Sequence, residues 1–160
     1  LGEPRRALEY YEQALIIFRE FDDRRGEGQE LGNLGNAYAA LGETHRAIEH
    51  YEQRLVIARE IGDRRGEGNA LGNLGIAYKN LGETRRAIEH YEQHLTIARE
   101  IGDRRGEGTA LFNMSFALDQ LGDRAQAIIN AEAALKIFEQ IESPHAETGR
   151  NQLAQWRGQA

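Results

Sequence analysis

His90 and His94 stand four residues apart on what reads as one helix face, a spacing at which two imidazoles can share a zinc ion. The pair is not a repeated device. His50 holds the place of His90 forty residues earlier, but Arg54 follows it there, and no carboxylate completes a zincin motif. No metal is therefore expected. Nucleophilic chemistry is no better served. The hydroxyls besides tyrosine are Thr44, Thr84, Thr96, Thr109, Ser115, Ser143 and Thr148, none in a Gly-x-Ser-x-Gly elbow, and no phosphate-binding Gly-x₄-Gly-Lys-Ser/Thr loop is present. Glutamates are plentiful, but their spacing pairs them with arginines on solvated helix faces, and a general acid–base couple needs an enclosed cleft to shift its pKa. The expectation is no enzyme and no cofactor. Doubled arginines (Arg24-Arg25, Arg64-Arg65, Arg104-Arg105) precede helices and could gather an anion at the helix start. The favoured reading pairs them with Glu27, Glu67 and Glu107 or with acids on the preceding helix, because acids are interspersed evenly.

The amides carry the stronger signal. Asn33, Asn73 and Asn113 recur every forty residues. Asn36 lies one turn beyond Asn33, Ile76 and Phe116 take that place later, and Asn80 and Gln120 lie further along. An amide both donates and accepts, so a ladder of them can hold the main chain of an extended peptide. The alternative is that each bonds a neighbouring helix. Lys79 adds one cation near the ladder. Phe112 and Phe116, peculiar to the third copy, form either a side-chain pocket or core packing against the last helix.

The elements that must position these groups follow from the same period. Apolar residues at Leu8, Tyr11, Leu15 and Phe18 recur at three and four, as on one helix face. Long helices are expected over about Pro4–Phe21, Thr44–Ile61, Thr84–Ile101 and Arg124–Ile141, with Thr44 as an N-cap and Gly62 and Gly102 as left-handed stops. Shorter helices are expected over about Gly66–Leu81 and Gly106–Leu121, opened by Asp63 and Asp103, with another through Leu31, Leu34 and Tyr38 to Leu41. Ser143-Pro144 opens a final helix to about Trp156, sparse in apolar residues as a terminal cap needs. Glycine inside a helix costs about 1 kcal/mol relative to alanine, and Gly66–Gly75 carries four. A lone unit should be unfolded, with stacking supplying the missing stability.

Leu71-x₂-Leu74-Gly75-x₂-Tyr78 with Ala87-x₃-Tyr91, repeated as Leu31-x₂-Leu34-Gly35-x₂-Tyr38 with Ala47-x₃-Tyr51, resembles the tetratricopeptide signature. The usual unit has about 34 residues and a proline near the end of its second helix. Here Arg59 and Arg99 hold that place, and the forty-residue unit looks like the repeats of Pins-type adaptors, kinesin light chains and the sensor arrays of bacterial STAND ATPases. The resemblance implies an all-α, right-handed superhelical solenoid of antiparallel helix pairs. It also implies non-catalytic binding of an extended or helical protein segment in a concave groove. The groove set is then Asn33, Asn36, Asn73, Ile76, Lys79, Asn80, Phe112, Asn113, Phe116 and Gln120. The lysines of a carboxylate clamp are missing, since Gln29, Asn69 and Thr109 stand in the early groove place. Gly72, where many such units carry a bulky residue, leaves room for a ligand main chain.

Composition sets the outer limits. A net charge of −6 over 160 residues argues against a general nucleic-acid binder. No apolar run approaches the roughly 18 residues of a membrane span, and the absence of cysteine excludes disulfides and fits a cytoplasmic protein. Leu1-Gly2 matches Leu41-Gly42, Leu81-Gly82 and Leu121-Gly122, so the chain is expected to open in mid-repeat as part of a larger protein. The expected division of the single array 1–160 is a second helix at 1–25, full repeats at 26–65, 66–105 and 106–142, and a cap helix at 143–160. The competing functional expectation is a self-association or spacer module. Leu8, Tyr11, Leu15 and Phe18 would be partly exposed on the truncated repeat and pair two copies through the N-terminal helix.

Overall fold

The computed structural model describes the backbone of residues 2–158 and the side chains of residues 6–158, and within that range all regular structure is helical. Eight helices follow one another: α1 Gly2–Glu20, α2 Arg24–Ala40, α3 Thr44–Glu60, α4 Arg64–Asn80, α5 Thr84–Glu100, α6 Arg104–Gln120, α7 Arg124–Gln140 and α8 His145–Gly158. The expected alternation of short and long helices is wrong. Helices α2 to α7 each have 17 residues. Asp63 opens α4 as expected, but its carboxylate accepts a hydrogen bond from Gly66 N at 2.9 Å, which makes Arg64 rather than Gly66 the first helical residue. Asp23 and Asp103 do the same for Gly26 and Gly106. Thr44 is not a cap either. Glu43 holds that position without a side-chain bond, and Thr44 begins the helix.

The stops are as expected. After α3, Gly62 takes φ +68°, Asp63 N bonds Ala58 O at 2.8 Å and Gly62 N bonds Arg59 O at 3.3 Å, which satisfies two carbonyls at the helix end. Asp22 (φ +54°) and Glu142 (φ +51°) fill this place after α1 and α7, where a Cβ is unfavourable.

Each helix packs on the next, and among alternate helices α2 meets α4 and α4 meets α6, so the even-numbered helices form the closer, inner layer. The core runs between the layers. Leu34, Tyr38, Ala47, Tyr51, Leu55, Leu74, Tyr78, Ala87 and Tyr91 are buried, as their spacing predicts. Leu95 and Ile128, expected beside them, are only partly buried and pack against its C-terminal portions. Trp156 and Leu153 of α8 close the end over Ala127 and Ala131.

Candidate peptide-binding groove

Glycines make the inner helices thin, and side chains from the outer helices fill the space. The Tyr51 ring lies where a Cβ at Gly35 would stand, and Tyr91 does so at Gly75. One turn away the Arg54 guanidinium covers Gly32, and His94 covers Gly72 with Nδ1 at 3.0 Å from the Cβ position. His94 takes the side-chain space that Gly72 leaves, while Gly72 itself still lines the pocket described next. In the third repeat the volumes are exchanged: the inner helix carries Phe112, which packs on the cluster of Ala134, and a buried Ser115, while the outer helix carries Ala131 and Ala134.

This arrangement floors a pocket of about 280 Å³ lined by Asn36, Arg54, Asn69, Gly72, Asn73, Ile76, His94, Thr109 and Asn113. Four of the ten residues expected in the groove thus converge: Asn36, Asn73, Ile76 and Asn113. The Asn36 amide oxygen accepts from Tyr51 OH at 2.8 Å and from Asn73 Nδ2 at 3.2 Å, which ties α2 to both α3 and α4. Asn33 donates to Glu30 at 3.2 Å. No hydrogen bond within the described residues holds the Asn113 side chain. The bond between helices is realised for Asn73 and exposure to the pocket for Asn113. In the second repeat Ile76 replaces Asn36, and the Tyr91 hydroxyl is buried without a partner among the described residues; burial pushes its pKa up.

The other six lie elsewhere. Phe112 packs edge-on against Phe116 and Phe138, and Phe116 against Trp156, so both join the C-terminal core. Lys79 Nζ sits 5.7 Å from the Phe116 ring centre, Gln120 accepts from Thr84 Oγ1 at 3.4 Å, and Asn80 is exposed. Arg54 was absent from the expected set. The signal that could have found it is an exchange of size between paired columns: Gly32 with Arg54, Gly72 with His94, Phe112 with Ala134.

The arginine turns are structural where they pair. Glu27, Glu67 and Glu107 are buried, each held by an arginine of the preceding helix and one in its own first turn: Arg19 and Arg24, Arg59 and Arg64, Arg99 and Arg104. Burial pushes the Glu27 carboxyl up, but the bonds from Arg19 and Arg24 outweigh it and hold it below its usual range. Arg24 and Arg64 also reach Glu60 and Glu100 at the far end of the next helix. His90 stacks on Tyr78 at 5.2 Å while His94 faces Gly72, so the two rings serve separate contacts. No group of three or more metal-binding side chains exists among the described residues, and none of the described helices is long and apolar enough to cross a membrane.

The repeat pattern matches the tetratricopeptide repeat family over residues 1–60, 31–100 and 66–140. The chain belongs to the tetratricopeptide repeat family. Its fold is the all-α superhelix of that family, whose repeats are protein-interaction scaffolds. Among solved structures it is similar to a putative kinesin light chain with nearly identical repeats from Podospora anserina (22% identity, 99% of this chain and 80% of that one, TM-score 0.80). It is also similar to a STAND protein with a tetratricopeptide repeat sensor from Pyrococcus horikoshii (24%, 96% and 24%, 0.83) and to a Rap protein complexed with competence and sporulation factor (18%, 93% and 42%, 0.81). The chain spans only part of each of these longer proteins. No curated protein matches it closely.

Proposed function

We propose that the chain binds a protein or peptide segment along the inner face of α2, α4 and α6, within an array divided at 26–65, 66–105 and 106–142. The observation that carries this reading is the amide-rich pocket shared by three successive inner helices, with Asn36, Asn69, Asn73 and Asn113 supplying donors and acceptors in one concavity. The Rap structure, a complex with a factor, supports a protein or peptide partner by likeness of fold. The test is a selection of random nonapeptides, followed by affinity for the best of them after Asn33, Asn73 and Asn113 are replaced by alanine. Binding should fall at least tenfold. Unchanged affinity with retained helicity would sink the ladder.

A second reading, pairing of two copies through α1, has its own observation. Leu8, Tyr11, Leu15 and Phe18, expected at such an interface, turn inward: Leu15 is 7% exposed, Leu8 and Tyr11 pack on the core, and Phe18 covers Gly26. The apolar residues left outside are instead Tyr10, Ile16, Ile17 and Phe21. Ile17 is 52% exposed, whereas its counterparts Ile57, Ile97 and Ile137 are buried. Light scattering across a concentration series tests the pairing, and a strict monomer removes it.

A further inference from the structure

We propose that Arg54 is an acid-reading residue, receiving the side-chain carboxylate of a glutamate or aspartate within an extended peptide. This rests on the groove reading above and names the chemistry of its ligand. Arg54 belongs to the outer helix α3, but its guanidinium lies over Gly32 and reaches the inner pocket. It is half-buried and makes no hydrogen bond or ion pair among the described residues, unlike the arginines that clamp Glu27, Glu67 and Glu107. Its five N–H donors are thus partly stripped of water with nothing returned, a debt that a carboxylate is shaped to settle bidentately.

The surroundings favour that ligand. The acid whose charge Arg54 feels, Asp63, lies with it on a separate pocket of about 250 Å³ and is engaged at the start of α4. No carboxylate lines the peptide pocket itself; its polar members are amides, Thr109 and His94, the last only 8% exposed and with Nδ1 unpartnered. A cationic, amide-lined recess in a chain of net charge −6 draws an acid toward Arg54. The pocket is shared by α2, α4 and α6, so an extended peptide laid across the three passes over it, and a side chain is then the carboxylate source.

The test uses the whole chain and two displayed libraries of random nonapeptides, one flanked by linker and one ending in a free carboxylate. Selection on the wild-type chain should enrich Asp or Glu at one position of the linker-flanked library. Changing that acid to Gln in the best peptide should weaken binding roughly ten- to a hundredfold, the range of a charge-assisted bond. Arg54→Gln should bind the acid and amide peptides equally, and Arg54→Lys should recover only part of the preference, since it lacks the planar fork. Circular dichroism shows whether the variants are folded. Should Arg54→Gln not fold, Gly32→Ala, whose methyl displaces the guanidinium, must lower the same preference. Peptides that bind without acid preference, or keep it in Arg54→Gln, overturn the proposal while leaving the groove reading standing. Acid preference confined to the free-carboxylate library overturns the side-chain assignment. No peptide bound by either library overturns both readings.

Discussion

The second and third repeats, α4–α5 and α6–α7, trace the same backbone with opposite side-chain volumes. In the second, the inner helix carries Gly72 and Gly75 and the outer helix fills the seam with Tyr91 and His94. In the third, Phe112 and Ser115 bring the volume from the inside, and Ala131 and Ala134 recede. What the solenoid demands is the sum across the seam rather than the residue on either side. The distribution has a functional consequence. Thin inner helices let outer-helix polar groups such as Arg54 and His94 reach the groove, whereas a thick one closes the seam with apolar rings.

The largest test of that sum is Tyr91→Ala, which leaves a hole above Gly75 and should cost about 3–5 kcal/mol in urea unfolding. Next, Gly72→Phe alone should cost about 1–3 kcal/mol by overpacking His94, and adding His94→Ala should restore most of it, as in the third repeat. If the double variant is no better than the single, the two repeats are not interchangeable solutions. Ile76→Asn should recover about 1 kcal/mol by giving the Tyr91 hydroxyl the partner that Tyr51 has in Asn36. Smaller again, Glu142→Gly should add about 1 kcal/mol or less. The second repeat already has Gly102 at φ +68° where Glu142 sits at φ +51°.

The two repeats should also differ in pH response. Burial pushes the His94 imidazole down, with Asp103 opposing weakly, and the third repeat has Ala134 in its place. A base whose folded pKa lies below its unfolded value of about 6.5 binds more protons when unfolded as pH falls. Its stabilisation is complete above that value and is lost progressively from there toward the lower folded pKa. Thermal melts should be flat above pH 7 and decline between about pH 6.5 and 5. His94→Gln should flatten part of that decline. His50 and His90, pushed down chiefly by burial as well, account for the remainder.

Helix existence, the stops at Gly62 and Gly102 and most of the core were legible, because each rests on a local signal or on a period repeated three times. The starts of α3, α5 and α7 were legible too, and so were Asp63 and Asp103 as openers, but the first residues of α4 and α6 were not. Asp-Arg-Arg-Gly reads as a turn when glycine is counted only as a helix breaker. The cap geometry at Asp63, which needs the third residue's N–H and not its side chain, makes it a first turn. The groove was half legible. The amide column at Asn33, Asn73 and Asn113 repeats at a fixed interval, but the packing of the partly buried Phe112 and Phe116 depends on Phe138 and Trp156, on α7 and α8. Arg54 was missed because an outer-helix residue enters the groove only through a glycine on a different helix.

Every helix of α2 to α7 has 17 residues, and every link between them has three. The molecule is thus a ruler with one graduation. Duplicating or deleting a coding unit keeps the reading frame, both packing seams and the pitch. The groove can therefore change length in whole steps while the chemistry of each step drifts separately. A chain built this way can extend its inner face without refolding the units already stacked.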